Sequence, residues 1–167
     1  MVKVYPMVRK ERQMDEEAAK KFLLESKVGR LGLSQDGEPY VVPIMYFYDP
    51  QNGIIFVHCA KKGRKLAAVM SDDRVCFEVD EMKEIVVAST PCEYDLYYRS
   101  VIVFGKASLI ESPEKKAEVL NDVMRKYAGE KNKMMVTPKM AEGTQVIKIA
   151  VSCMTGKEGK GATMPYP

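Results

Sequence analysis

Between Arg30 and Ala60 the hydrophobic pattern has the period of strands rather than helices. Arg30–Ser34, Pro39–Tyr48 and Ile54–Ala60 are rich in β-branched and aromatic residues. They are separated by Gln35-Asp36-Gly37-Glu38 and Asp49-Pro50-Gln51-Asn52-Gly53. Turn-forming residues at hairpin length between such runs predict an antiparallel meander. The third run is apolar on both faces, with Ile54, Phe56 and His58 on one side and Ile55, Val57 and Cys59 on the other. A strand of that kind is buried twice over. In a chain of 167 residues, this predicts a barrel interior on one face and a partner subunit or a ligand on the other.

The rest of the chain extends the pattern. Asp15 is an N-cap for a helix carrying Ala18, Ala19, Phe22 and Leu23 at helical spacing, with Gly29 as its stop. Leu66–Met70 reads as a short helix ending near Ser71-Asp72, and Arg74–Asp80 and Lys83–Thr90 as two strands. Pro91–Tyr98 is an aromatic-rich loop and Ser100–Ile110 a long strand. Ser112-Pro113 opens a second full helix, with Val119, Leu120, Val123, Met124 and Tyr127 on one face and Gly129 at its end. Lys131–Gly143 reads as a loop and Thr144–Met154 as the last strand. Residues 1–13 form an N-terminal arm and 156–167 a mobile tail, or one folded onto a neighbour. The expectation is one domain over 1–167 and a mainly β fold, a barrel of antiparallel strands with a few helices, since closure removes the sheet's edges.

Composition narrows the function. A net charge of +3 is too small for a dense nucleic-acid-binding stripe, and one histidine excludes a multi-histidine metal site. Cys59, Cys76, Cys92 and Cys153 show no C-x-x-C pairing. No apolar run is long enough to span a bilayer and no secretory signal is visible, so a reduced, cytoplasmic setting without membrane contact is expected.

The segment that carries chemistry is His58-Cys59-Ala60-Lys61-Lys62-Gly63-Arg64-Lys65. A buried strand ends there, four cationic side chains follow, and a helix begins. A helix N-terminus offers unpaired N–H groups and a positive dipole end to an anion such as phosphate. Arg64 can bind two phosphate oxygens at once, Lys65 adds a point charge and Gly63 admits close backbone approach. On these residues alone, the segment reads either as a solvated hairpin end or as an anion site. Cys59 reads as a buried small hydrophobe or as a thiol activated by the basic loop. Tyr94, Tyr97 and Tyr98 can cover a planar ligand or pack an interface. No Walker or G-x-G-x-x-G motif occurs.

Ile54–Leu66, followed by Asp73–Val79, resembles the nitroimidazole-reductase (Nim-type) branch of the pyridoxamine 5′-phosphate oxidase-like superfamily. Lys27–Leu31, Pro39–Pro43, Tyr98–Ala107, Thr155–Lys157 and the charged start Arg9–Arg12 carry the same resemblance. It covers nearly the whole chain. It implies an FMN-binding split barrel that works as a homodimer with flavin at the subunit interface. Carried over by position, Arg64 and Lys65 hold the FMN phosphate. His58, Cys59 and Ala60 lie at the strand end beside the ribityl chain and ring, and Pro43, Ile44 and Met45 line the isoalloxazine. Ser100, with Arg99 beside it, falls near the phosphate. His58 is the candidate proton donor, or a core residue. Two departures argue against vitamin B6 oxidation: Gly63 stands where that branch has serine, and the chain has no tryptophan.

The implied function is a flavin-dependent oxidoreductase passing electrons from a reduced nicotinamide or similar donor to a small organic acceptor, a nitroaromatic among the possibilities. Two alternatives stand beside it: a flavin-binding module that carries electrons without turnover, and a split barrel adapted to haem, with His58 as axial ligand, or to a deazaflavin.

Overall fold

A computed structural model describes residues 6–129 and 134–159. Its strands are β1 (Gly29–Gln35), β2 (Glu38–Ile44), β3 (Tyr46–Asp49), β4 (Ile54–Ala60), β5 (Arg74–Val86), β6 (Asp95–Ile110) and β7 (Thr144–Gly159). Its helices are α1 (Glu16–Glu25), α2 (Arg64–Ser71), α3 (Pro113–Ala128) and the single turn α4 (Pro138–Ala141). The helix starts follow from their caps. Asp15 accepts from the Ala18 amide at 2.7 Å, and Ser112 from the Lys115 amide at 3.2 Å ahead of Pro113.

All seven strands form one antiparallel sheet in the order β2-β1-β5-β6-β7-β4-β3. The run Pro39–Tyr48 is therefore two strands rather than one. β2 lies on one edge of the sheet and β3 on the other, with Met45 alone between them. Two edges joined by a single residue require the sheet to curl into a barrel. Because no ladder connects β2 to β3, the barrel is split along that line.

Three further differences come from pairing between distant residues. β5 is one strand with an irregularity between Met82 and Glu84, where two shorter strands were expected. β6 begins at Asp95, so Tyr97 and Tyr98 belong to the ladder rather than to a loop. β7 reaches Gly159, so 156–159 are strand and not tail, and Gly156 is buried against Met14 and Ala19 of the α1 region. Residues 160–167, the rest of the expected tail, and 1–5 of the arm lie outside the described residues, and so do 130–133 of the expected loop. Pro138–Ala141 of that loop is helical.

The barrel interior is filled by Leu31, Tyr46, Tyr48, Ile55, Phe77 and Ile149, among others, and α1 closes it with Phe22 and Leu23. On the outer face of β4, Phe56 packs with Ile110, Val119 and Val146. The second buried face of β4 is thus covered by the chain's own α3, and not by a partner or ligand over that stretch.

The split is held where β3 begins. The Tyr127 hydroxyl on α3 accepts from the Tyr46 amide at 2.9 Å, and its proton is shared between the carbonyls of Lys27 (2.7 Å) and Tyr46 (3.0 Å). The Tyr46 hydroxyl donates to Leu23 of α1. Above its ring, 3.7 Å from the centroid, stands the Lys126 ammonium. It is buried without a hydrogen-bond partner, and burial, followed by the nearby charge of Lys27, lowers its pKa to about 8.

Two outcomes are expected from this arrangement. Tyr127→Phe leaves the Tyr46 amide and its neighbours short of a partner, at a cost of about 1–3 kcal/mol in urea unfolding. The unfolded chain holds the Lys126 proton up to the ordinary lysine range, near 10.5, whereas the fold releases it near 8. Stability therefore rises as pH increases between those values, and Lys126→Met flattens that slope in unfolding curves taken across the range.

Candidate functional site

The basic segment folds as its residues dictate. β4 ends at Ala60, three residues turn the chain, and α2 starts at Arg64 with Gly63 as N-cap at φ 130°. Only glycine adopts that φ without strain. No side chain caps this helix, and a Cβ on Gly63 would meet nothing within 4 Å. The first-turn amides of α2 are therefore without a side-chain cap. Lys61, Lys62, Arg64 and Lys65 form no ion pair among the described residues, while most other arginines of the chain do.

His58, Cys59 and Lys65 come together here. The imidazole of His58 is half-buried, and its Nδ1 is shielded from solvent with no hydrogen-bond partner. Its pKa is lowered below 6.5, first by burial and then by the charge of Lys65. Cys59 faces the core, and burial raises its pKa against the opposing pull of Lys65. Burial is the larger influence, which favours the neutral thiol of this partly buried side chain. Arg64 lies over the ring of Tyr40, its guanidinium carbon 4.4 Å from the centroid. Ala60 is exposed at the end of β4.

The other expected site residues are dispersed. Pro43 is exposed and Ile44 buried at the end of β2, and Met45 is exposed at the split. Arg99 is bound to Glu81 at 2.7 Å and lies 4.4 Å over Phe22, in a hollow of about 370 Å³ with Lys27, Arg30 and Asp80. Ser100 pairs with Asp80 on one side and Lys157 on the other. No hydrogen bond, ion pair or cation–π contact among the described residues joins Arg99 or Ser100 to Arg64 or Lys65. A cleft of about 700 Å³ between α1, the β3–β4 turn and β7 contains none of the expected site residues. Tyr94 is exposed, and Tyr98 packs against Gly159. No cluster of metal-ligating side chains occurs among the described residues, and none of their helices is long and apolar enough to cross a membrane.

The contact between Tyr40 and Arg64 was not legible in the sequence. Tyr40 sits 24 positions before Arg64 in the chain, and only the β1–β2 pairing and the packing of α2 on β1 bring the two together.

Residues 15–158 match the pyridoxamine 5′-phosphate oxidase family. The chain belongs to that family. No curated protein matches it. Among solved structures, it is similar to a candidate 5-nitroimidazole antibiotic resistance protein from Bacteroides thetaiotaomicron. The two are 26% identical over 87% of this chain and 85% of that one, with a TM-score of 0.75. A flavocytochrome from Azotobacter vinelandii aligns at 22% identity over 94% and 73% of the two chains, with a TM-score of 0.83. An FAD- and haem-binding protein from Mycobacterium smegmatis aligns at 20% identity over 90% and 74%, with a TM-score of 0.80. These last two likenesses establish the fold of this pyridoxamine 5′-phosphate oxidase family member.

The pairing of His58 with Lys65 has a measurable signature. Lys65→Gln raises the His58 pKa in an NMR titration of the single imidazole, yet leaves it below 6.5 because burial is the larger cause. In the wild type, stability falls as pH drops through 6.5, because the unfolded chain takes up the histidine proton first.

Proposed function

We propose that this chain is a flavoprotein that binds FMN, with the flavin phosphate on Arg64, Lys65 and the first-turn amides of α2. Four unpaired cations around an uncapped helix start carry this reading. Each would gain from an anion, and the position of Gly63 leaves room for one. His58, close enough to feel the charge of Lys65, carries a further unpartnered polar atom, its shielded Nδ1. The residues present therefore fit a phosphorylated flavin. Membership of the family, and solved relatives described as binding FAD, support the flavin.

When bound, the flavin supplies two-electron chemistry between a reduced nicotinamide or similar donor and a small organic acceptor, a nitroaromatic being one candidate. The residues of the chain bind, orient and manage protons. Arg64 and Lys65 fix the phosphate, and the exposed backbone at Pro43–Met45, next to the split, offers amide and carbonyl groups to a flat ring. His58 is neutral above its lowered pKa and accepts or donates a proton at Nδ1. Arg99, already neutralised by Glu81, is a scaffold residue in this scheme.

The chain acts as a homodimer in this reading. The outer face of β2-β1-β5-β6 carries Val41 and Ile102, 63% and 38% exposed, with Phe104 and Cys76 in the same rows. A second copy on that face buries this apolar surface and roofs the ring end of the flavin site.

Purified protein titrated with FMN is expected to quench flavin fluorescence. Arg64→Gln and Lys65→Gln each weaken binding about tenfold or more, through the loss of charge-assisted hydrogen bonds. Equal affinity in wild type and both variants removes the assignment. Stopped-flow reduction by a nicotinamide donor, followed by acceptor addition, separates an oxidoreductase from a carrier without turnover.

A further inference from the structure

Arg64 has no carboxylate partner and donates no hydrogen bond among the described residues, yet it is not loose. Its guanidinium lies over the ring of Tyr40, 4.4 Å from the centroid. That ring is itself fixed. Tyr40 is half-buried, stands opposite Leu33 in the β1–β2 register and packs against the barrel core. A guanidinium uses its flat face on an aromatic ring and its edge N–H groups on an anion, so the two contacts do not compete. An arginine held on a ring before an anion arrives loses less side-chain freedom when it binds. Neither neighbouring loop lysine, Lys61 or Lys62, has such a support among the aromatic contacts of the described residues.

We propose that Tyr40 is a positioning residue for the anion site, its ring aiming Arg64 so that the chain prefers a flavin bearing a terminal phosphate over the same flavin without one. The inference rests on the phosphate reading of Arg64 and Lys65, and deepens it by adding the residue that sets its specificity. The hydroxyl of Tyr40 takes no part; the aromatic face is what acts.

The test compares affinities for FMN and riboflavin, which differ only in the phosphate. Tyr40→Phe retains the wild-type ratio to within about twofold. Tyr40→Leu lowers FMN affinity about three- to fivefold, as expected for one partly exposed cation–π contact, and leaves riboflavin affinity unchanged. In an Arg64→Gln background, Tyr40→Leu has no further effect on FMN. Equal losses for both flavins in Tyr40→Leu overturn the proposal, because they indicate a purely structural role. So does an unchanged FMN affinity. Circular dichroism melting verifies that each variant folds, and Tyr40→Val, a strand-favouring residue, takes the place of the leucine variant if that one does not. A wild-type protein that binds both flavins equally, and is indifferent to Arg64→Gln, removes the phosphate reading and the role of Tyr40 with it. A ratio sensitive to Arg64 but not to Tyr40 removes only the second.

Discussion

The fold depends on one covalent constraint: β2 ends and β3 begins on either side of Met45, yet these strands are opposite edges of the same sheet. Chain continuity forces the curl that hydrogen bonding alone does not complete. It also leaves backbone groups at the split without strand partners, which is where unpaired polar groups become costly. Tyr127 meets that need from α3, and the Tyr46 hydroxyl fixes α1 to the same point. Two helices remote in sequence are thus anchored to one junction, and the interior they close becomes a single packed core.

The electrostatics of the surface follow a similar logic. Arg12, Arg30, Arg74, Arg99 and Arg125 all have carboxylate partners. Arg64 has an aromatic ring instead. Exposed ion pairs contribute little each, so the contrast matters less for stability than for what is left available. Cations that are neither paired nor scattered, gathered at a helix start, form a local positive field. The neighbouring imidazole is the group that senses this field most directly, because burial has already disfavoured its charged form.

Much of this was legible in the sequence, and what was missed shares one cause. The turns at Asp36-Gly37 and Asp49–Gly53, and the doubly apolar run that follows the second, located β1 and β4, while Asp15 and Ser112-Pro113 located the starts of α1 and α3. The cluster His58–Lys65 was readable because its members lie within eight consecutive positions. Nothing local distinguishes Pro39–Tyr48 as two strands, since apolar residues continue on both sides of Met45 and the break arises from closure of the whole sheet. The extension of β7 to Gly159 was hidden for the same reason. A glycine-rich end reads as loose until its ladder partner, Tyr98 to Val101 on β6, is known. Arg99 was legible as a cation beside the site, but Glu81, which occupies it, faces it only through the β5–β6 register.

The junction at Met45 also dictates where this chain tolerates being cut. Opening the backbone in the turn at Asp36-Gly37 or at Gln51-Asn52 would interrupt a hairpin whose ladders remain to hold both strands. New termini at Met45 would have no such reserve. They would release two bare strand edges, leaving the packed interior and the Tyr127 and Tyr46 hydrogen bonds to keep the sheet round. A circular permutant opened there is topologically an open sheet, in which β2 and β3 are as free to pair with another molecule as with their own.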